Sequence, residues 1–219
     1  KGADPLGPKN KLIFAPGVVT GLTLSGASRN AVGAKSPLTG AFGATEVGGN
    51  FGAQLKRAGY DAIIVEGVSP KPVYLWIKDG VAELRDATHL WGKTTKETEA
   101  LVRQEVGQAR AELAMIGPGG ENMVKYACVM NGLKDAAGRT GMGAVMGSKK
   151  LKAVAALGTQ NLDGADTDYI RETARRAAKE VQEGTRSAGL HRAGTGGEDL
   201  EGGVLQGNLP IRNFRDGEF

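Results

Sequence analysis

The sequence predicts an α+β fold, and three observations carry the prediction. Short apolar runs bounded by glycine, proline and asparagine outnumber helical patterns by about eight to two or three. Two of those runs, residues 72–77 (PVYLWI) and 81–85 (VAELR), flank Lys78-Asp79-Gly80, and Asp-Gly between alternating runs marks a β-hairpin. The helical patterns do not alternate regularly with the strands, which separates this class from a doubly wound α/β sheet.

In chain order, residues 1–16 give a proline-bounded loop and then a buried strand at 12–15. A polar loop, 17–28, delivers Arg29, which begins a weakly apolar segment ending at the turn Ser36-Pro-Leu-Thr-Gly40. Residues 41–47 (AFGATEV) read as a strand. Gly48 and Gly49 then open NFGAQLKRAG, whose Phe51, Leu55 and Ala58 share one helical face. Free N–H groups at such a helix start attract anions; a close-packed turn without a ligand accounts for the same residues equally well.

Residues 61–67 (DAIIVEG) form a short strand before the hairpin. Past it, Thr94-x-x-Glu97 is a capping box that opens a helix to about Val106, with Gly107 just beyond. Residues 109–116 and 126–130 read as strands separated by GPGGEN, a turn that can also start a short helix. Another strand spans 151–157. Asp166 or Thr167 caps a helix to about Glu183, with Ile170, Ala174, Ala177 and Val181 in one stripe. Residues 184–203 read as a loop or partly disordered linker. The predicted division is therefore 1–160 for one domain and 161–219 for a helix plus linker leading into a further domain.

Composition narrows the function classes. The chain has 219 residues, 40% of them hydrophobic, enough to bury a sizeable core. Its 35 glycines are about twice the usual share of roughly 7% and have no fixed period, which favours tight turns and close backbone contacts. A net charge of +4 suits an anionic partner, yet aromatics are only 5%, too few for a base-stacking platform, so nucleic acid is not the expected partner. No apolar stretch approaches the roughly 20 residues that span a bilayer, and no signal-peptide pattern opens the chain. Its single cysteine, Cys128, rules out an internal disulfide or a cluster held wholly by this chain. The expected compartment is the cytoplasm. Both ends read as cut from something longer.

The most suggestive stretch is residues 136–154, AAGRTGMGAVMGSKKLKAV. Gly138, Gly141, Gly143 and Gly147 surround Arg139, and Lys149, Lys150 and Lys152 follow, as in a binding loop for a large anionic cofactor. Dinucleotide and triphosphate motifs both fail here. No apolar strand runs into the first glycine, no acidic residue follows at ribose distance, and Ser148 intervenes before Lys149. His89 and His191 stand apart from any ligand constellation, Cys128 reads as a small core residue, and no catalytic residue is assigned. A non-catalytic module binding a phosphorylated ligand or nucleic acid through 138–152 stays open at this level.

Six stretches occurring in order, DPLGPKNKLIFAPG, AKSPLTG, GGNFGAQLKRAGYDAIIVEG, PVYLWI, IGPGGEN and AAGRTGMGAVMGSKKLKAV, resemble aldehyde ferredoxin oxidoreductases. The resemblance runs from about Asp4 to Thr159 and more loosely to LPIRNF. It implies an N-terminal domain in which two packed, mixed or antiparallel β-sheets with flanking helices form a base for a bis-pterin cofactor. It also implies a tungsten or molybdenum ion on the pterin dithiolenes, a magnesium ion bridging the two pterin phosphates, and a 4Fe–4S cluster in the full-length protein only. The implied reaction is oxidation of aldehydes to carboxylates with ferredoxin, or another electron-transfer protein, as acceptor. Related enzymes reducing aromatic acyl-CoA thioesters, and a homodimeric assembly, stay open.

By position, the resemblance assigns cofactor contacts to Arg29, Gly48 with its neighbour Gly49, Ala136 and Gly138, and a magnesium-binding carbonyl to Ala136. Glu46 stands where the family pattern has an asparagine at the magnesium site, and Asp135 where it has an arginine near a pterin. A carbonyl ligand survives a side-chain change, whereas a guanidinium contact does not. Arg139 is then the residue left to supply the positive charge.

Overall fold

The computed structural model describes residues 2–194 and 199–216. The chain divides into two compact units, Lys1–Thr167 and Asp168–Phe219.

Two sheets make the first unit. Strands β1 (Leu12–Pro16), β2 (Asn30–Lys35), β3 (Phe42–Val47) and β4 (Ile63–Val65) form an antiparallel sheet in the order β3-β2-β1-β4. The second sheet takes β5 (Val73–Lys78), β6 (Val81–Asp86), β7 (Glu112–Met115), β8 (Val129–Asn131), β9 (Asp135–Ala137) and β10 (Leu151–Leu157) in the order β6-β5-β10-β7-β8-β9. It is mixed because β10 runs parallel to β5 and antiparallel to β7. The two-sheet α+β architecture is thus as expected.

Burial of both faces explains the parallel pair, since parallel strands need cover on each side. Every residue of β10 is buried, and its alternation splits two cores. Val154 and Ala156 point into a core with Leu12, Phe14 and Val32 of the first sheet. Ala153, Ala155 and Leu157 point into a second core with Tyr74, Trp76, Leu90 and Val102. Helix α1 (Phe51–Arg57) seats Phe51 and Leu55 in the first core, where Phe51 meets Phe14 edge-on, centroids 6.1 Å apart. Helix α2 (Thr95–Glu105) sends Val102 into the second. Its capping box is present as predicted: Thr94 Oγ accepts from the Glu97 N–H, and the Glu97 carboxylate accepts from the Thr94 N–H at 2.8 Å.

Three stretches depart from expectation. Residues 136–154 leave regular structure only at 138–141 and at the turn 149–150; helix α4 (Met142–Ser148) follows α3 (Pro118–Glu121), and six of its seven residues are buried. Its glycines are there for packing. A Cβ on Gly141 would lie 1.9 Å from the Lys125 carbonyl oxygen, one on Gly143 2.4 Å from that of Cys128, and one on Gly147 1.9 Å from that of Gly120. The expected strand 126–130 starts later, at Val129, and Tyr126 is exposed.

In the second unit, α5 (Thr167–Glu183) matches the predicted helix. Residues 184–203 do not form the loop expected: α6 (Thr185–Ala193) and α7 (Asp199–Gln206) occupy most of the stretch, and 195–198 lie outside the described residues. The glycines that argued for a linker include a packing position, since a Cβ on Gly203 would stand 2.9 Å from a Leu209 methyl.

Candidate functional site

Strand β3 organises the site. Its alternation turns Gly43, Thr45 and Val47 inward and leaves Phe42, Ala44 and Glu46 exposed. Across the β2–β3 ladder Ala31 faces Glu46 and Asn30 faces Val47. Arg29 therefore stands just beyond the ladder, at the end where Gly48 and Gly49 leave β3. Its carbonyl is held by the Thr20 hydroxyl at 2.7 Å. Arg29 and Glu46 line one cavity of about 240 Å³ with Ala15, Asn30 and Ala31.

Alongside β3 runs the segment 135–140 from the other sheet. At its start the Asp135 carboxylate stands over the glycine pair: a Cβ on Gly48 or Gly49 would meet an Asp135 oxygen at 3.0 or 3.1 Å. At its end Thr140 covers Gly43, where a Cβ would lie 2.7 Å from that of Thr140. The Thr140 carbonyl accepts from Ser36 Oγ at 2.7 Å. Five steps along β3, at about 3.3 Å each, separate these ends by roughly 16 Å. Arg29 marks one end and Arg139 the other. Neither guanidinium has a salt-bridge or hydrogen-bond partner among the described residues.

The structure thus brings Arg29, Glu46, Gly48 and Gly49 together with Asp135, Ala136, Gly138 and Arg139 along one edge. Within it the roles differ. Gly138 is open, with nothing nearer to a Cβ than the Ala136 carbonyl at 3.9 Å, so its bare backbone is accessible. Gly48 and Gly49 are covered by Asp135, whose carboxylate is spent on that packing. Ala136 and Glu46 are exposed, on strands that lie against each other. Among the described residues no group of three or more His, Cys, Asp or Glu is placed to hold a metal ion.

Four features expected to oppose an anion do not reach this edge. Lys149, buried, donates to the Gly67 carbonyl at 3.2 Å, and burial holds its pKa below the ordinary lysine value. Lys150 donates to the Pro70 carbonyl, and Lys152 is enclosed in the protein with Glu121. The first turn of α4 faces protein too, since Gly143 N–H donates to the Ala127 carbonyl at 2.9 Å. Desolvation explains the lysines: an amphipathic stem is readily buried if the ammonium finds oxygens.

One residue not singled out in the sequence belongs to the site. Asn131, at the end of β8, donates from Nδ2 to the Gly48 carbonyl and to Asn30 Oδ1, both at 2.8 Å. An asparagine after an apolar run reads as a turn residue, which hides this role. Beside it lies a cavity of about 350 Å³ lined by Glu99, Arg103, Glu112, Lys134 and Asp135. Arg103 there is already engaged by Glu99 at 3.3 Å and Glu112 at 3.8 Å. Burial raises the Glu112 pKa, and Arg103 opposes that rise.

Fold and site together define an α+β domain of two stacked sheets whose shared edge carries exposed backbone and two arginines without partners among the described residues. The family model for the aldehyde ferredoxin oxidoreductase N-terminal domain matches residues 1–158, and the chain belongs to this family. It is 48% identical over 219 residues to the tungsten-containing aldehyde ferredoxin oxidoreductase of Thermococcus kodakarensis, covering 99% of this chain and 36% of that protein. An aliphatic sulfonate oxidoreductase WOR-like subunit of Pyrococcus furiosus is 36% identical, with 97% of this chain and 35% of that one covered. The active site complex BamBC of benzoyl coenzyme A reductase, solved with 1,5-dienoyl-CoA, superposes with a TM-score of 0.79 at 40% identity, over 82% of this chain and 27% of that one. The chain thus spans about a third of the length of its aldehyde-oxidoreductase relatives. No helix among the described residues is long and apolar enough to cross a membrane.

Proposed function

We propose that this domain is the base holding a bis-pterin tungsten cofactor in an enzyme that oxidises aldehydes to carboxylates and passes the electrons to ferredoxin. The observation that carries the reading is the placement of Arg29 and Arg139, neither with a partner among the described residues, at opposite ends of the stretch of β3 that segment 135–140 covers. Unpaired cations beside open backbone suit a large anionic cofactor, and a guanidinium binds phosphate through paired N–H donors. Between them the open backbone at Ala136 and Gly138 offers carbonyl and N–H groups without side-chain obstruction. Those groups, with Arg29 and Arg139, are the residues that would hold the cofactor, and the Ala136 and Glu46 carbonyls are the candidate magnesium ligands.

When bound, the metal supplies the redox chemistry of aldehyde oxidation; the protein binds and orients. This chain's part is to neutralise phosphate charge and present a rigid edge. Asp135 has no direct part, because its carboxylate faces Gly48 and Gly49. The 161–219 segment, read as the passage into later domains, and an iron–sulfur cluster contributed by those domains complete the proposal, as does a cytoplasmic setting. The competing phosphate-ligand or nucleic-acid module would use the 138–152 loop, and the enclosure of Lys149 and Lys152 takes two of that loop's cations away from such a ligand.

The test is metal and pterin analysis of the full-length protein by mass spectrometry, with aldehyde- and acyl-CoA-dependent turnover assayed side by side. Tungsten with about two pterins per chain and aldehyde-dependent reduction of ferredoxin are expected. An active preparation without tungsten, molybdenum and pterin overturns the reading.

A further inference from the structure

We infer that Asn131 is a positioning residue of the cofactor edge: its buried amide locks the Gly48 backbone to the hairpin that carries Asp135 and Ala136. The inference rests on the reading above that this edge holds the pterin.

A Gly-Gly turn has no side chains to set its peptide planes, and Gly49 adopts a left-handed φ of +82°. Something outside the turn must orient it. Asn131 is 3% exposed and spends both Nδ2 protons across the sheet boundary, on the Gly48 carbonyl and on Asn30 Oδ1, 83 and 101 residues away in sequence. In the β8–β9 ladder it lies directly opposite Asp135. Asp135 in turn packs on Gly48 and Gly49. One hairpin therefore grips the glycine turn at two points, and the next residue along that hairpin is Ala136.

The amide pair is an uneconomical choice for stability alone. Asn30 Nδ2 and Asn131 Oδ1 are buried without hydrogen-bond partners among the described residues. Two apolar side chains would fill the same space and leave no such atoms. The bond from Asn131 to Gly48 is what an apolar pair could not supply, and it ties the two halves of the edge together.

The experiment compares Asn131→Leu and Asn30→Leu in the full-length holoprotein. Both remove the bond between the asparagines, but only Asn131→Leu frees the Gly48 carbonyl. Cofactor lifetime is followed as pterin and tungsten released during dialysis, and Tm is read in parallel. The expected result is release at least tenfold faster in Asn131→Leu, and at most about threefold faster in Asn30→Leu. Asn131→Ser, whose hydroxyl can restore one donor, should fall between and serves if Asn131→Leu does not fold. Release from Asn131→Leu and Asn131→Ser at the wild-type rate overturns the inference. So does equal acceleration in Asn30→Leu. Wild-type protein devoid of pterin is a different result: it overturns the cofactor reading, and the role of Asn131 with it.

Discussion

Lys152 and Glu121 form an ion pair that solvent does not reach, their side chains 0% and 4% exposed. Lys152 sits at an irregularity of the β5–β10 ladder, between Leu151 and Ala153, where an extra residue re-aims its side chain. Its ammonium also donates to the Lys93 carbonyl at 2.8 Å, and Glu121 accepts from the Gly92 N–H at 2.7 Å. The pair thus ties the central strand to α3 and to the loop before α2.

Breaking that pair leaves a buried charge. Lys152→Met should cost about 3–5 kcal/mol, whereas Lys152→Met with Glu121→Leu should recover much of the loss. Urea unfolding of the two variants checks this. Burial also depresses the Lys152 pKa below its ordinary value. The unfolded chain then binds more protons in the alkaline window just below pH 10.5, so this group's contribution makes stability rise with pH there and fall as pH is lowered.

Tyr74 works in the opposite direction. Its hydroxyl is buried with no well-formed hydrogen bond among the described residues, although Arg85 and Glu105 interact with it, and burial pushes its pKa up to about 12 from 10.0. Between those values the unfolded chain loses a proton that the folded chain keeps, so stability should fall by up to about 2–3 kcal/mol as pH rises through the window. Tyr74→Phe should abolish that fall and be neutral or stabilising by about 1 kcal/mol near pH 7, because it removes an unsatisfied hydroxyl. Unfolding curves at two alkaline pH values distinguish the variants.

Glycines of one stretch should respond in opposite ways. Gly147→Ala drives a Cβ to 1.9 Å from the Gly120 carbonyl oxygen and should cost at least about 3 kcal/mol. Gly138→Ala meets nothing nearer than the Ala136 carbonyl oxygen at 3.9 Å and should change stability by less than about 1 kcal/mol. Its expected effect is instead on pterin content of the full-length protein. Thermal melts and pterin assay together separate the two.

Arg29→Gln and Arg139→Gln remove no ion pair among the described residues and should leave Tm within a degree or two, a change of about 0.5 kcal/mol at most. Each should lower pterin occupancy, and the double variant more than either. Occupancy equal to wild type in the double variant would argue that neither arginine faces the cofactor.

Local signals were legible where one stretch of chain sets its own structure. The Asp79-Gly80 hairpin, the Thr94–Glu97 capping box and the α5 helix all depend on neighbours within a few residues, and all are present. Residues 141–148 were not legible, because their glycines look like a ligand loop until the carbonyls of Lys125, Cys128 and Gly120 are seen against them. Composition also misled at 185–193, where a helix forms in a segment poor in apolar residues.

By itself, then, the sequence determined the α+β class, the turn and cap positions and, through its ordered motifs, the family. It also marked Arg29, Gly138 and Arg139. Only tertiary structure decided which charges remain free. Lys149 and Lys152 are adjacent in sequence to that loop yet are turned into the protein, while Arg29, over a hundred residues away, shares its edge. The reason is that burial and pairing are set by what packs across the two sheets, as Asn131 does on Gly48, and residue type alone does not encode that neighbour.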